Sequence, residues 1–314
     1  MKKILITGGC GFIGSNLIRF LLSNDKYLKI VNIDKITYAG KKDNVKKVGK
    51  KRYKFYKTDI LNERKIKNIL KKESPDYIIH IAAESHVDNS ISSPKKFFET
   101  NLMGTLNILE CIKKNKIKIK KFLYFSTDEV YGSLLKGKAN ENSCFQPNNP
   151  YSSSKAAADL LCNAYYKTYN LPITIIRGSN NYGPCQHKEK LIPKIITRLS
   201  KGKKIPIYGN GRNQREWIYV EDTCNAIHTI IKKGKNGESY NVSSSKGMSN
   251  LQVAEIILKE MSHPKQHIKF VKDRPGHDFR YSMNTNKIKK MGWECKTPFS
   301  EGIRKTINWY LKAK

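Results

Sequence analysis

A chain of 314 residues is long enough to bury one large core or two smaller ones. Its formal net charge of +34 comes from 50 Lys against only 10 Arg, spread along the whole sequence. A nucleic-acid-binding face concentrates charge and favours Arg, so this excess reads as a general surface field that attracts anionic substrates, with no nucleic-acid partner expected.

No apolar run approaches the roughly 18 residues of a membrane span, and the apolar stretch at residues 4–6 is too short for a secretion signal. The seven cysteines show neither CxxC nor metal-ligand spacing. Scattered single thiols suit a reducing compartment, so a cytoplasmic protein without a metal is expected.

In chain order, residues 3–7 predict a buried strand running into Gly8-Gly9-Cys10-Gly11-Phe12-Ile13-Gly14, with an amphipathic helix to about Leu22. Glycines at this spacing let the backbone turn tightly and approach a pyrophosphate, and the helix N-terminus offers N–H groups and positive dipole. A second strand over 29–33 ends in Asp34. A carboxylate there accepts hydrogen bonds from a ribose 2′-OH and repels a 2′-phosphate, which favours NAD over NADP. Residues 53–57 predict a third strand closing at Thr58-Asp59-Ile60, followed by a Lys/Ile-rich helix to about Lys72. A fourth strand over 77–81 leads to Ala82 and Ala83, small enough to leave room for a cofactor. A long helix over about 94–115 then feeds a fifth strand at 121–126. Strands alternating with helices in this way predict an α/β fold with a Rossmann-type, doubly wound parallel sheet.

Thr127-Asp128-Glu129-Val130-Tyr131-Gly132 falls at the C-terminal end of that fifth strand, where open α/β sheets place their ligands. Further on, Pro150 stops upstream helix, and the Ala/Leu/Lys-rich run after it favours one. Tyr151 and Lys155 then sit at i and i+4 on one helix face. An ammonium beside a phenol favours the phenolate, a usable base for a hydroxyl proton. Asp128 and Glu129 are neighbouring carboxyls, one able to stay protonated while the other ionises. Oxidising an alcohol to a ketone acidifies the adjacent C–H, and such an acid/base pair can then eliminate water.

Residues 172–177 predict another buried strand, ending in the turn-rich Gly178-Ser179-Asn180-Asn181-Tyr182-Gly183-Pro184. The reading places an NAD-binding domain over 1–178 and a smaller substrate-binding domain over 179–314. The latter is expected to hold short helices at 190–200, 222–233, 249–261 and 300–312, with irregular pieces between them and one strand near 238–242 returning to the sheet. The active site is expected between the two parts.

These residues together resemble the extended short-chain dehydrogenase/reductase family, and within it the nucleotide-sugar 4,6-dehydratases. The likeness runs from the glycines of 8–14 and Asp34-Lys35-Ile36-Thr37-Tyr38-Ala39-Gly40, through Thr127-Asp128-Glu129 and Tyr151 with Lys155, to Glu189-Lys190-Leu191-Ile192-Pro193, Pro206-Ile207-Tyr208-Gly209 and Arg274-Pro275-Gly276-His277-Asp278. The Thr-Asp-Glu triplet discriminates, since the superfamily's epimerases lack the acidic pair.

The resemblance implies that Tyr151, assisted by Lys155 and Thr127, takes the sugar's C4 hydroxyl proton as hydride passes to NAD. Glu129 then removes the C5 proton, Asp128 protonates the departing C6 hydroxyl, and the hydride returns to C6. It also implies an NAD site of Gly8, Gly11, Phe12, Ile13, Gly14, Asp34, Lys35, Thr37, Asp59, Ile60, Ala82, Ala83, Ser85, Thr100, Tyr151, Lys155 and Asn181. Ser85, Thr127, Asn180, Lys190, Leu191, Pro206, Tyr208, Arg215, Asn250, Arg274 and His277 are implied to hold the nucleotide sugar. Cys185-Gln186-His187-Lys188 departs from the bacterial dTDP pattern, so dTDP-glucose and UDP-glucose both remain open as substrates, on a path to rhamnose or another deoxysugar. A nucleotide-sugar 4-epimerase, a UDP-glucuronate decarboxylase and, more distantly, a non-catalytic NAD sensor are the alternatives. A homodimer is implied as well, built on the helices at about 94–115 and 150–169, with Ala156, Ala157, Ala158 and Leu161 allowing close approach.

Overall fold

In a computed structural model that describes residues 2–46, 48–49 and 51–312, β1 (Lys3–Thr7) pairs in parallel with both β2 (Lys29–Asp34) and β4 (Tyr77–His80). Between them run α1 (Phe12–Asn24), β3 (Tyr53–Lys57) and α2 (Glu63–Glu73). The chain continues through α3 (Val87–Ser92), α4 (Pro94–Phe97), a π-helical stretch Phe98–Met103, α5 (Gly104–Lys114), β5 (Lys121–Thr127), α6 (Pro150–Tyr169) and β6 (Ile173–Gly178). The second half holds β7 (Asn180–Tyr182), α7 (Leu191–Leu199), β8 (Ile205–Tyr208), β9 (Gln214–Tyr219), α8 (Val220–Lys233), β10 (Ser239–Val242), β11 (Gly247–Ser249), α9 (Asn250–Glu260), β12 (Ile268–Val271), α10 (Asn286–Lys289) and α11 (Phe299–Lys312).

Seven parallel strands form the main sheet in the order β10-β6-β5-β4-β1-β2-β3. The strand order reverses between β1 and β4, which makes their C-terminal ends the switch point where such sheets bind ligands. β5 is buried along its whole length because helices cover both faces of the sheet. Its side chains alternate as a strand requires: Leu123 and Phe125 pack with Leu17 and Leu21 of α1 and Ile227 of α8, whereas Phe122 and Tyr124 pack with Leu70 of α2, Ile108 of α5 and Cys162 of α6. A third core joins Ile196 of α7, Ile207 of β8, Trp217 of β9, Ile257 of α9 and Ile303 of α11.

The returning strand expected near 238–242 is β10, parallel to β6. Helix α8, expected to belong with the C-terminal part, instead buries Ile227 and Ile230 against α1 in the first core. Five short strands, β7, β8, β9, β11 and β12, replace what the sequence reads as irregular pieces. They form two small sheets, β11-β9-β7 and β12-β8, beside the strand ends. Ala156 and Ala158 of α6 are buried within the chain's own cores, so they are not free to meet a second copy. The most exposed apolar side chains of this helical layer are Met103 and Leu160.

Candidate active site

A cleft with about 1490 Å³ of empty space runs along the strand ends at the switch point. All seventeen residues expected at a dinucleotide site line it, from Gly8 and Asp34 to Asn181. Its floor is a backbone cradle. Gly8 has φ +76°, and a Cβ there would lie 2.8 Å from the backbone of Ala82. A Cβ on Gly14 would lie 2.3 Å from the Gly8 carbonyl oxygen. Both glycines therefore let the loop, α1 and Ala82 pack backbone to backbone. Gly11 caps α1 with no side-chain acceptor for the first-turn N–H groups, which leaves them for an anion. The Asp34 carboxylate is fixed by the N–H groups of Cys10 at 2.9 Å and Ile36 at 2.7 Å. Burial raises the pKa of Asp34, against the pull of those two bonds. The hydroxyls of Ser126 and Ser179, both buried and both on the cleft wall, have no hydrogen-bond partner among the described residues. A glycine cradle, a positioned carboxylate and unpaired hydroxyls fit a dinucleotide.

Farther along the cleft, β5 ends in Thr127 and the chain tightens into a 3₁₀ turn over Asp128–Tyr131. Thr127 caps that turn by accepting from the Glu129 N–H at 3.3 Å, and its hydroxyl lies 3.1 Å from Asp128 Oδ1. Asp128 is 3% exposed. Burial, then the neighbouring charge of Glu129, hold its carboxyl well above the usual carboxylate range, and Arg215 only partly offsets them. That setting favours the protonated form of the Asp128 carboxyl. Helix α6 begins with a capping box between Asn149 and Ser152 and with Pro150 in its first turn. That start fixes Tyr151 in the cleft.

Tyr151 and Lys155 do share a helix face, but the ammonium does not serve the phenol directly. Lys155 Nζ donates to the Phe125 carbonyl at 2.6 Å and lies 4.3 Å from the Tyr124 ring centroid. Burial pushes the Lys155 pKa down to about 7. Burial, then the Glu129 charge, raise the Tyr151 phenol far above its ordinary value, with a hydrogen bond from Thr127 opposing them. The direct partner of the Lys155 ammonium is thus the Phe125 carbonyl, and its effect on the phenol is exerted through space along the shared helix face.

Of the residues expected to hold substrate, Ser85, Thr127, Asn180 and Lys190 line the cleft. Lys190 donates its ammonium to the Ser85 carbonyl, and burial lowers its pKa. Leu191 follows it as the first residue of α7. A second cluster forms around Asp88, which accepts from Arg274 at 2.9 Å and from the Tyr208 hydroxyl at 3.0 Å. The Tyr208 ring meets His277 edge-on at 6.2 Å. Arg215, 5% exposed, is clamped by the Asp278 carbonyl at 2.8 Å and lies 4.2 Å from the Tyr281 ring. Pro206, on β8, and Asn250, whose N–H bonds the Asn213 carbonyl, do not line the cleft.

Sequence reasoning missed Tyr281, whose hydroxyl bonds Asp278 and reaches Glu129 Oε2 at 3.4 Å. Nothing local marks it; only the last letters of the Arg-Pro-Gly-His-Asp run lie close by. The π-helical stretch was also missed. It turns Asn101 onto the backbone of Glu84, with bonds of 2.8 and 3.0 Å, and sets Thr100 on the cleft wall; such bulges recur at functional sites.

A dinucleotide cradle that opens onto a buried tyrosine, a lysine and a buried acid beside a second carboxyl defines the class: a Rossmann-fold enzyme of the dehydrogenase/reductase type equipped for elimination. The chain matches the family described as GDP-mannose 4,6 dehydratase over residues 5–306, and it belongs to that family. A dTDP-glucose 4,6-dehydratase of Haemophilus influenzae is 44% identical to it over 333 residues, covering 99% of this chain and 98% of that protein. The crystal structure of DesIV, a dTDP-glucose 4,6-dehydratase from Streptomyces venezuelae with NAD bound, superposes with a TM-score of 0.95 at 38% identity, covering 99% of this chain and 97% of its own. A UDP-glucose 4-epimerase of Thermus thermophilus in complex with NAD reaches 0.92 at 28% identity, covering 99% of this chain and 100% of its own. The fold is common to both chemistries, so the site residues must separate them.

Proposed function

We propose that this protein is an NAD-dependent nucleotide-sugar 4,6-dehydratase that converts dTDP-glucose to the 4-keto-6-deoxy sugar nucleotide, with UDP-glucose as the second candidate substrate. The observation that carries this reading is Asp128: a carboxyl buried at the end of β5 beside Glu129, where burial and that neighbouring charge favour its protonated form. An epimerase has no use for a proton donor at that place, because it expels no leaving group.

When bound, the dinucleotide supplies a hydride acceptor for C4 and a hydride donor for C6. Tyr151, acting as its phenolate, receives the proton of the C4 hydroxyl and becomes the neutral phenol, with the Thr127 hydroxyl supporting the phenolate oxygen. Glu129 takes the C5 proton, made acidic by the C4 ketone. Asp128 gives its proton to the C6 hydroxyl, which leaves as water, and Glu129 returns a proton to C5 once C6 is reduced. Lys190, Arg215 and Arg274 are suited to the diphosphate.

We further propose a cytoplasmic homodimer, with Met103 and Leu160 on the outward helical layer as contacts, and a division into a cofactor part over 1–178 and a substrate part over 179–314 that sends α8 and β10 back to the first core. Seven free cysteines agree with a reducing compartment, and among the described residues no helix is long and apolar enough to cross a membrane.

Incubation with dTDP-glucose and with UDP-glucose, followed by alkali, tests the reaction. A 4-keto chromophore is expected with the dTDP sugar. Conversion to a galactose nucleotide without the chromophore, or no turnover of either sugar, would sink the proposal. Sedimentation at micromolar concentration tests the dimer.

A further inference from the structure

Beside the cleft, a second cavity with about 1300 Å³ of empty space opens between the 185–188 loop, the C-terminal end of α7 and the last turns of α11. Five cations line it, Lys41, Lys188, Arg198, Lys201 and Lys203, and no carboxylate does. Among the described residues, none of these five makes an ion pair. Elsewhere on this chain lysines do find carboxylates, as Lys35 finds Asp59 and Lys96 finds Glu84. The cations here line one open cavity together instead, so their fields add over its mouth.

The lip of the cavity is aromatic. Trp309 is half-buried there, with its ring edge-on to Tyr310 at 4.8 Å. Tyr310 in turn bonds the Gln186 carbonyl. Gln186 follows Cys185, which is held at φ +68°, a left-handed conformation that costs a non-glycine residue energy and that recurs where a site is being shaped. Ala39, Gln186 and His187 form a wall common to both cavities.

We propose that this second cavity binds the polyphosphate chain of a nucleotide, distinct from the cofactor and from the sugar substrate. The lysines act as point charges for the phosphates, and the Trp309 indole offers a face for the base. Lysine-held phosphates with a stacked base make a site selective for charge and tolerant of base identity.

The test uses the full protein saturated with NAD, at low salt, with dTTP and inorganic tripolyphosphate as probes. Isothermal titration gives stoichiometry, and Trp309 fluorescence reports occupancy, since Trp217 and Trp293 are buried. One equivalent of dTTP is expected to bind per chain. The pair Lys201→Glu with Lys203→Glu, both exposed and outside the cleft, should weaken it about tenfold or more. The control pair Lys67→Glu with Lys118→Glu, on a remote surface, should not. Equal weakening by both pairs, or binding that does not saturate near one equivalent, overturns the site and leaves only a general charge field. dTTP binding several-fold tighter than tripolyphosphate, with the difference lost in Trp309→Leu, supports the nucleotide. Equal binding of the two probes overturns the role of the base and leaves inorganic polyphosphate as the ligand.

Discussion

The Lys155 ammonium donates to the Phe125 carbonyl at 2.6 Å rather than to Tyr151, one helical turn before it. This ties α6 to the end of β5 and places a buried amine under the site, with no carboxylate bonded to it among the described residues. The arrangement costs stability and is retained where the chemistry needs it.

Lys155→Met tests that trade. The folded pKa of about 7 lies below the ordinary 10.5, so the fold prefers the uncharged amine. The destabilisation is full below about pH 7 and is relieved as pH rises toward 10.5. The variant is expected to be more stable than the parent by roughly 1–3 kcal/mol at pH 6, with the gap narrowing by pH 9, while turnover falls by about 10²–10⁴. Thermal melts at the two pH values and a kcat measurement check both halves.

Asp128→Asn keeps the shape of a neutral acid and removes its proton donation. At acid pH the two proteins are expected to melt together. The folded pKa of Asp128 is raised, so the parent loses stability as pH climbs through that window, whereas the amide does not. At pH 8 the variant should be at least as stable as the parent. Turnover should drop by about 10²–10⁴ with C4 oxidation intact, seen as reduced-dinucleotide absorbance that appears on adding substrate and persists. A variant that forms the keto-deoxy product at the parental rate would remove the acid role.

Much of this site was legible because of topology. In a parallel sheet every strand delivers its C-terminal residues to one edge, so Gly8, Asp34, Asp59, Ala82, Thr127 and Gly178, far apart in sequence, necessarily line one cleft. The Tyr151–Lys155 spacing was equally readable, but the direction of the ammonium was not; it depends on the Phe125 carbonyl, thirty residues away. The small sheets escaped for a different reason. β7 is three residues long within a Gly/Asn/Pro-rich segment whose local chemistry is that of a turn, and only its pairing with β9 makes it a strand. Tyr281 lies 152 residues from Glu129, a separation that carries no periodic signal.

Gly14→Ala isolates the cradle. The new methyl would sit 2.3 Å from the Gly8 oxygen and 2.7 Å from the Gly9 Cα, and backbone cannot yield as a side chain does. A loss of about 1–3 kcal/mol is expected, together with loss of NAD from the purified protein, read as the bound-dinucleotide stoichiometry. Full NAD occupancy in a folded variant would show that the loop has slack that these distances deny.

Arg177→Met probes how α6 is held against the sheet. Arg177 of β6 meets Asp159 of α6 through two bonds of 2.9 Å, with both side chains at or below 3% exposure. Its remaining donors reach the Tyr131 hydroxyl and the Glu141 carbonyl at 2.8 Å each. The Phe145 ring centroid lies 4.7 Å from the guanidinium. Asp159 follows Lys155 by one turn, so this pair sets the axis on which Tyr151 and Lys155 ride. Removing the guanidinium alone strands a buried carboxylate, and a loss of roughly 3–5 kcal/mol is expected in urea melts. Arg177→Met combined with Asp159→Leu removes both charges and should recover most of that loss. If the double variant regains stability but not turnover, the ion pair fixes the orientation of α6; if it regains both, packing alone holds the helix, and the pair is dispensable to catalysis.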